Sequence, residues 1–242
     1  MSKRRLDVLL VDRGLAESRE KAQALVMAGQ VTVDERPAPK PGSLVAEDAT
    51  LAVAGGPRYV SRGGEKLERA LEAFGLDVTG LVAADIGAST GGFTDCLLQH
   101  GAQRVYAIDV GRAQLDYRMR SDPRVIVMEG VNARDLAPLP QPIQFVTIDV
   151  SFISLRLVLP AIARLHPATI VALFKPQFEA AKGEVPRGGV IRDPLMHSQL
   201  IGRFAAWCVA NGFRIRDMVA SPILGDAGNR EFLFWLHPEA AT

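Results

Sequence analysis

Ala84-Asp85-Ile86-Gly87-Ala88-Ser89-Thr90-Gly91-Gly92-Phe93-Thr94 decides the fold of this 242-residue chain. The apolar run Leu81 to Ile86 leads into it and reads as a buried strand. Gly92 to His100 leads out of it and reads as a helix. A glycine-rich turn between a parallel strand and its helix is where open α/β sheets take their ligands. Glycines there let the backbone come close to a bound molecule, and the helix N-terminus supplies unpaired N–H groups. Asp109 ends the next apolar run, about 20 residues on, where a carboxylate can accept hydrogen bonds from both hydroxyls of a ribose.

Outward from this turn the pattern keeps alternating. A helix over Gly64–Phe74 precedes the turn, and strands are expected at Arg104–Asp109, Val125–Met128, Phe145–Asp149 and Ile170–Phe174. Two more are expected at Phe213–Val219 and Glu231–Leu236, with helices at Leu155–Leu165 and Pro194–Asn211. Near-continuous apolar strands alternating with helices predict an α/β fold, a mostly parallel sheet covered on both faces. Only Ser221 to Gly228 separates the last two strands, too little for a crossover helix, so they are expected to be antiparallel neighbours.

The first part of the chain reads differently. Leu6, Leu9, Leu10 and Leu15 mark a short helix stopped at Gly14, and Ser18 caps a second one from Arg19 to Ala28. Val31-Thr32-Val33 is a short strand, followed by turn material and further β-like sequence from Leu44 to Val53. Gly55-Gly56-Pro57 punctuates the chain as a candidate boundary, with Arg58-Tyr59-Val60-Ser61 as a connector.

Composition narrows the classes. The formal net charge is +1, so any footprint for a polyanion is local. The two cysteines, Cys96 and Cys208, have no metal-ligand spacing and read as small buried apolar residues, which argues against structural zinc and suits a reducing compartment. No apolar run reaches the roughly 18 residues of a membrane span, and no signal peptide is visible, so a cytoplasmic protein is expected.

Two cofactor classes use a turn of this kind. A dinucleotide rests its pyrophosphate on the helix N-terminus and expects G-x-G-x-x-G spacing. Here the spacing is G-A-S-T-G-G, and Asp85 stands at the start of the loop, which suits the ammonium of S-adenosylmethionine better than a diphosphate. Asn132-Ala133-Arg134, after the third strand, is placed to contact an adenine. The methyl donor is the favoured reading, with a nicotinamide cofactor as the alternative.

Four further polar residues stand where a purely structural sheet does not need them: Asp149, Lys175 and Glu231 at strand ends, and Lys66 at the start of a helix. Each taken singly has a bland reading as a solvated charge. Lys175 is hardest to dismiss, because it follows the apolar run Ile170–Phe174 and precedes a proline. Two lysines and two carboxylates beside a methyl donor can activate a ribose hydroxyl, a poor nucleophile at neutral pH. Lys3, Arg4, Arg5, Arg13, Arg19 and Lys21 crowd the first two expected helices.

Several separated motifs then agree in order. Val60-Ser61-Arg62-Gly63, Gly87 to Thr94, Asp109-Val110-Gly111, Asn132-Ala133-Arg134, Ser151-Phe152-Ile153-Ser154-Leu155, Lys175-Pro176-Gln177-Phe178-Glu179 and Gly188-Gly189-Val190 together resemble the TlyA family. These are bacterial ribosomal-RNA 2′-O-methyltransferases also labelled haemolysins. The resemblance implies an RNA-binding domain like that of ribosomal protein S-four over 1–56, a linker over 57–62 and a Rossmann-like, FtsJ-type methyltransferase domain over 63–242. It implies a catalytic tetrad of Lys66, Asp149, Lys175 and Glu231, with Lys175 as base. The cofactor S-adenosylmethionine would be held by Asp85, Gly87, Ala88, Ser89, Thr90, Gly91, Gly92, Phe93, Asp109, Val110, Asn132, Ala133 and Asp149. Ribosomal RNA or a ribosomal subunit is the implied partner, touched by Lys3, Arg4, Arg5, Arg19, Lys21 and Arg62, and a cytidine ribose the implied target. Asp34-Glu35-Arg36 departs from the glycine-containing turn of many relatives. The chain ends soon after its last strand, as in the shorter branch of the family, which implies large-subunit RNA. An assembly factor with a vestigial pocket and a membrane-active haemolysin are the competing readings.

Overall fold

The computed structural model describes residues 2–55 and 58–239, in two compact units that divide between Arg58 and Tyr59. Gly56 and Pro57 of the expected boundary lie outside the described residues.

In the first unit, β1 (Lys3–Arg5) pairs antiparallel with β4 (Leu44–Ala46), so Lys3, Arg4 and Arg5 are strand residues and not part of the first helix as expected. The backbone of this segment finds its hydrogen bonds across a ladder, which the apolar spacing beginning at Leu6 could not reveal. Helix α1 (Leu6–Asp12) and α2 (Arg19–Met27) follow. Ser18 caps α2, its hydroxyl accepting from the Lys21 N–H at 3.2 Å. Leu6, Leu9, Leu10, Ala22 and Val26 bury one side of the pair against Val31 and Val45. A three-stranded sheet runs β3 (Arg36–Pro37), β2 (Val31–Val33), β5 (Leu51–Val53). The β2–β3 hairpin turns on Asp34 and Glu35, at φ +50° and +64°, where hairpins of this length normally use Asn-Gly. The Asp34 carboxylate accepts from the Thr50 N–H at 2.8 Å and ties that turn to the strand it faces.

The second unit carries α3 (Gly63–Phe74), β6 (Val82–Ile86), α4 (Gly92–Gln99), β7 (Arg104–Asp109), α5 (Tyr117–Ser121), β8 (Val125–Glu129), β9 (Phe145–Ile148), α6 (Leu155–Ala163), β10 (Thr169–Phe174), α7 (Pro176–Glu179), α8 (Pro194–Ala210), β11 (Phe213–Ala220) and β12 (Phe232–Pro238). The seven strands run in the order β11-β12-β10-β9-β6-β7-β8. The five from β10 to β8 are parallel, and β12 and β11 are antiparallel additions. The chain winds outward from β6 to β8 and returns to β9 on the other side of β6. Carboxyl ends of β6 and β9 therefore flank the crevice where a ligand enters.

Apolar side chains fill both faces of the sheet. Phe174 is fully buried at the end of β10, its ring 5.1 Å from that of Phe204 and 5.5 Å from that of Phe234. Removing such a ring typically costs about 3–5 kcal/mol, and here it locks the backbone one residue before Lys175. The segment expected as a linker also feeds this core: Tyr59 is 1% exposed and packs among Leu67, Ala70 and Phe93. Gly64 makes room for it, since a Cβ there would lie 2.1 Å from the Tyr59 ring. Short helices α5 and α7 had no sequence signature, being a turn or so long and too brief for periodicity to register.

Candidate active site

A cavity of about 540 Å³ opens at the carboxyl ends of β6, β9 and β10. The loop Gly87–Phe93 forms its floor. Gly87 adopts φ +82°, and a Cβ on it would sit 2.3 Å from the Asp149 carbonyl oxygen. Only glycine lets the two strand ends come that close. The Asp149 N–H donates to the Ile86 carbonyl at 2.8 Å, so the same contact sets Asp149 on the cavity wall. Gly92 is equally confined: a Cβ there would meet the Ser61 hydroxyl at 2.2 Å.

Lys66, Asp149, Lys175 and Glu231, far apart in sequence, all line this one cavity. Lys175 Nζ lies 2.6 Å from Asp149 Oδ1 and donates to Ser151 Oγ at 2.8 Å. Lys66 Nζ donates to Glu231 Oε2 at 2.6 Å. All four side chains are largely buried, with Asp149, at 21%, the most exposed of them. Ion pairs this poorly hydrated hold their geometry. The backbone does the placing: Asp149 and Glu231 stand just beyond the ends of β9 and β12, Lys175 one residue past β10, and Lys66 in the first turn of α3.

Gly87, Ala88, Ser89, Thr90, Gly92 and Phe93 reach the cavity as the sequence suggested, whereas Gly91, Asp85, Asp109, Val110, Asn132 and Ala133 do not line it. Gly91 serves as the left-handed residue that starts α4, at φ +95°. Asp85 is fully buried, and its oxygens accept from Thr94 Oγ1 at 2.7 Å and Thr147 Oγ1 at 2.9 Å. Burial, with the Asp149 charge adding to it, pushes its pKa up to about 6 against the pull of the two threonines. The direct ammonium contact expected of Asp85 is therefore replaced by a role in fixing the strand end and α4. Asp109 accepts from the Ser89 N–H at 2.8 Å and the Gly111 N–H at 2.6 Å, which shapes the floor of the loop. Carboxylate oxygens carry further lone pairs, so it can still accept from a ribose. Val110 is exposed, and the Asn132 amide oxygen accepts from the Arg134 N–H at 3.1 Å ahead of a short turn at Ala133–Asp135.

The basic residues of the first unit are largely engaged at home. Arg5 and Arg19 both bind the buried Asp7, and Arg4 pairs with Asp12 at 2.9 Å. Arg13 donates to the carbonyls of Ala49 and Glu47. Lys3 and Lys21 are exposed. In the second unit Arg62 lines the cavity and pairs with Asp226 across two exposed side chains.

Several cavity residues were not singled out as site residues from sequence. Ser151 holds Lys175. Phe152 is 91% exposed at φ +64°, a costly conformation for a bulky residue, and its ring lies 5.1 Å from that of Phe178. Asn229 is 1% exposed; it accepts from the Ile191 N–H at 2.9 Å and donates to the Gly189 carbonyl at 2.9 Å, clamping the Gly188–Ile191 loop at the rim. Polar residues in a loop carry no periodicity, and the quoted motifs around them were the only signal available.

The FtsJ-like methyltransferase family matches residues 59–237, and the S4 domain matches residues 4–51. The chain is 49% identical to YqxC of Bacillus subtilis, which carries an rRNA methyltransferase name, over 97% of this chain and 86% of that one. It is 44% identical to TlyA of Mycobacterium tuberculosis, named a 16S/23S rRNA (cytidine-2′-O)-methyltransferase, over 97% and 90%. A solved structure of a protein named as a hemolysin from Streptococcus thermophilus superposes with a TM-score of 0.75 at 44% identity, covering 100% of this chain and 90% of that one.

Proposed function

The chain belongs to the FtsJ-like methyltransferase family and carries an S4 domain ahead of it, and from that premise we propose that it transfers a methyl group from S-adenosylmethionine to a ribose 2′-hydroxyl of a cytidine in ribosomal RNA. The observation that carries this reading is the buried Lys175 amine on the wall of the cavity, held by Asp149 and Ser151 and accompanied by the Lys66–Glu231 pair.

The residues fit the donor. The floor is glycine, alanine, serine, threonine and Phe93 with no cation in the loop itself; Asp149 lines the cavity, and Asp109 at the end of β7 braces the loop from outside it. A nucleoside with a cationic sulfonium suits that surface better than a diphosphate. When bound, the donor supplies an electrophilic methyl carbon. Lys175, as the free amine, accepts the hydroxyl proton, and the positive charge that leaves the sulfonium reappears on the ammonium. Asp149 lies where it stabilises that ammonium, which is how a positioned base lowers the barrier. Lys66 and Glu231, on the same cavity, orient the hydroxyl and its ribose. Phe152, exposed at the mouth and backed by Phe178, offers a face on which an unstacked base can rest. The first unit contributes RNA affinity through exposed Lys3 and Lys21. The proposed domains, 1–56 and 63–242 joined by 57–62, are supported by an S4 match over 4–51 and an FtsJ-like match over 59–237.

The test is transfer of labelled methyl from S-adenosylmethionine to unmethylated ribosomal subunits and free ribosomal RNA, by wild type and Lys175→Ala. Label in RNA with wild type, lost by 10² to 10⁴-fold in the variant, is expected of a general base, and alkali-resistant mapping then names the nucleotide. Donor binding without transfer to any RNA would instead favour an assembly factor with a vestigial pocket. A membrane-active role has no support from a spanning helix: among the described residues none is long and apolar enough to cross a membrane.

A further inference from the structure

We propose that Ser151 is the positioning residue that aims the Lys175 amine at the substrate hydroxyl. This inference rests on the 2′-O-methyltransferase reading and adds a residue that acts through the base.

The local backbone prepares the contact. Residues 149–151 follow directly on β9, which ends at Ile148. Val150 packs against the core, while Asp149 and Ser151 both line the cavity. Both reach Lys175, Asp149 Oδ1 at 2.6 Å and Ser151 Oγ at 2.8 Å from Nζ. Ser151 opens a bend, and Phe152 follows it at φ +64°.

Counting valences gives the consequence. A neutral lysine amine has two N–H bonds and one lone pair in a tetrahedral arrangement. One N–H is directed at Ser151, while the Asp149 carboxylate stands beside the amine as an ion-pair partner without hydrogen-bond geometry, so Ser151 supplies the directional contact that turns the lone pair away from itself. The side chain of Lys175 is 10% exposed, and the cavity is where that remaining exposure lies. Without Ser151 the amine keeps a single anchor and rotates about its own bond to carbon, so the lone pair is aimed only part of the time. In the reaction the substrate hydroxyl loses its proton to Nζ as its oxygen bonds the methyl carbon and the carbon–sulfur bond breaks. The new N–H then points at the product ether oxygen, the Ser151 hydrogen bond is kept, and the Asp149 carboxylate balances the ammonium charge. Ser151 itself is exposed, and its own hydroxyl proton remains able to donate to water or RNA.

The charged groups around this amine are Asp149 beside it, the Lys66–Glu231 pair on the same cavity, Arg62 with Asp226 at the rim, and Asp85 buried behind Asp149. None is altered by replacing the serine hydroxyl, so a change in the pH profile reports on the amine.

The experiment compares wild type, Ser151→Ala, Ser151→Thr and Lys175→Ala with saturating ribosomal RNA and S-adenosylmethionine across pH 5 to 10. Loss of a hydrogen bond to a charged group is worth about a ten- to hundredfold effect, so Ser151→Ala is expected to lower kcat by that factor. KM for donor and RNA should stay within about twofold. The acid limb of its kcat profile should move to lower pH, because an ammonium with one acceptor fewer gives up its proton more readily. Ser151→Thr, which keeps the hydroxyl, should recover most of the rate. A Ser151→Ala enzyme with wild-type kcat and an unmoved limb overturns the inference. So does a loss matched by weakened donor binding and not rescued by threonine, which marks a structural role. Lys175→Ala separates the two levels: if it retains the wild-type rate, the base assignment falls and this inference with it, whereas an inactive Lys175→Ala beside a normal Ser151→Ala sinks the inference alone.

Discussion

Asp7 and Asp85 are aspartates with no solvent-accessible surface, and the two units of the chain accommodate them in opposite ways. Asp7 lies under side chains that themselves face water. Arg5 donates to it twice, at 3.0 and 2.8 Å, Gln23 at 2.9 Å and Arg19 at 3.2 Å, which holds its pKa far below the usual carboxylate range. Asp85 lies under the sheet's own strand end, where two threonine hydroxyls are its hydrogen-bond donors. Burial there outweighs them, and its pKa rises to about 6. A carboxylate near the surface can recruit cations, while one in a packed interior must make do with dipoles. The comparison explains why the arginines of the first unit cannot be counted as a free basic patch: Arg5 and Arg19 serve the fold. The cleft is intermediate, since each of its lysines has one carboxylate partner and the pair still faces a cavity.

The largest effect should come from the cleft, where charge is kept for chemistry. Asp149→Ala is expected to reduce methyl transfer by about 10² to 10³-fold and, because it leaves the largely buried Lys175 without its carboxylate, to cost about 1–3 kcal/mol of stability. A large melting shift with preserved turnover would show that the cleft pair behaves like the Asp7 cluster. Next comes Asp7→Ala, which leaves Arg5 and Arg19 without their shared acceptor. About 2–4 kcal/mol of stability should be lost, confined to the first unit: amide exchange should accelerate over residues 6–27 and stay unchanged over 82–109. Uniform acceleration would dissolve the distinction between the units.

The two acids also give pH dependences of opposite sign. The native pKa of Asp85, about 6, stands above its unfolded value, so the folded state holds an extra proton in between. Its stabilising share is full below about pH 4 and is lost as pH rises through 6, by roughly 2–3 kcal/mol at most. The native pKa of Asp7 is lowered, so its share is present above about pH 4 and fades as pH falls. Exchange protection measured unit by unit from about pH 2 to 7 should fall in the second unit as pH rises from about 4 to 6, and in the first unit as pH drops below about 4, and Asp85→Asn should flatten the second unit's slope. The smallest effect concerns RNA. Lys21→Glu should weaken binding a few-fold and reduce the salt slope by about 1–2 without altering stability, whereas Arg19→Glu should do its damage through Asp7. Equal stability loss in both would mean that Lys21 is also structural.

Much of the fold was legible. Apolar runs long enough to be buried strands gave the α/β class, the sheet's covered faces and the antiparallel last pair. Less legible were short elements: β1 was hidden inside what read as a helix, and α5 and α7 were too brief for a period to show. Within the candidate site, the glycine loop and the four charged residues were visible as types at strand ends, but their pairing was not. Lys175 with Asp149 and Lys66 with Glu231 follow from strand order β12-β10-β9-β6, which places residues 66, 149, 175 and 231 around one crevice.

What this sequence determined by itself is therefore periodic and local: which segments are strands or helices, where glycine is required, and which chemical groups stand at the turns. Hydrophobic spacing and backbone sterics act over a few residues, and they can be read without knowing what lies across the sheet. Tertiary structure alone decided which charges are consumed. Arg5, Arg19 and Asp85 look available in one dimension and are occupied in three, while Ser151, an ordinary loop serine in the chain, stands 2.8 Å from the amine of Lys175. Burial and partnership depend on residues brought together from distant parts of the chain, and that information is absent from any local window.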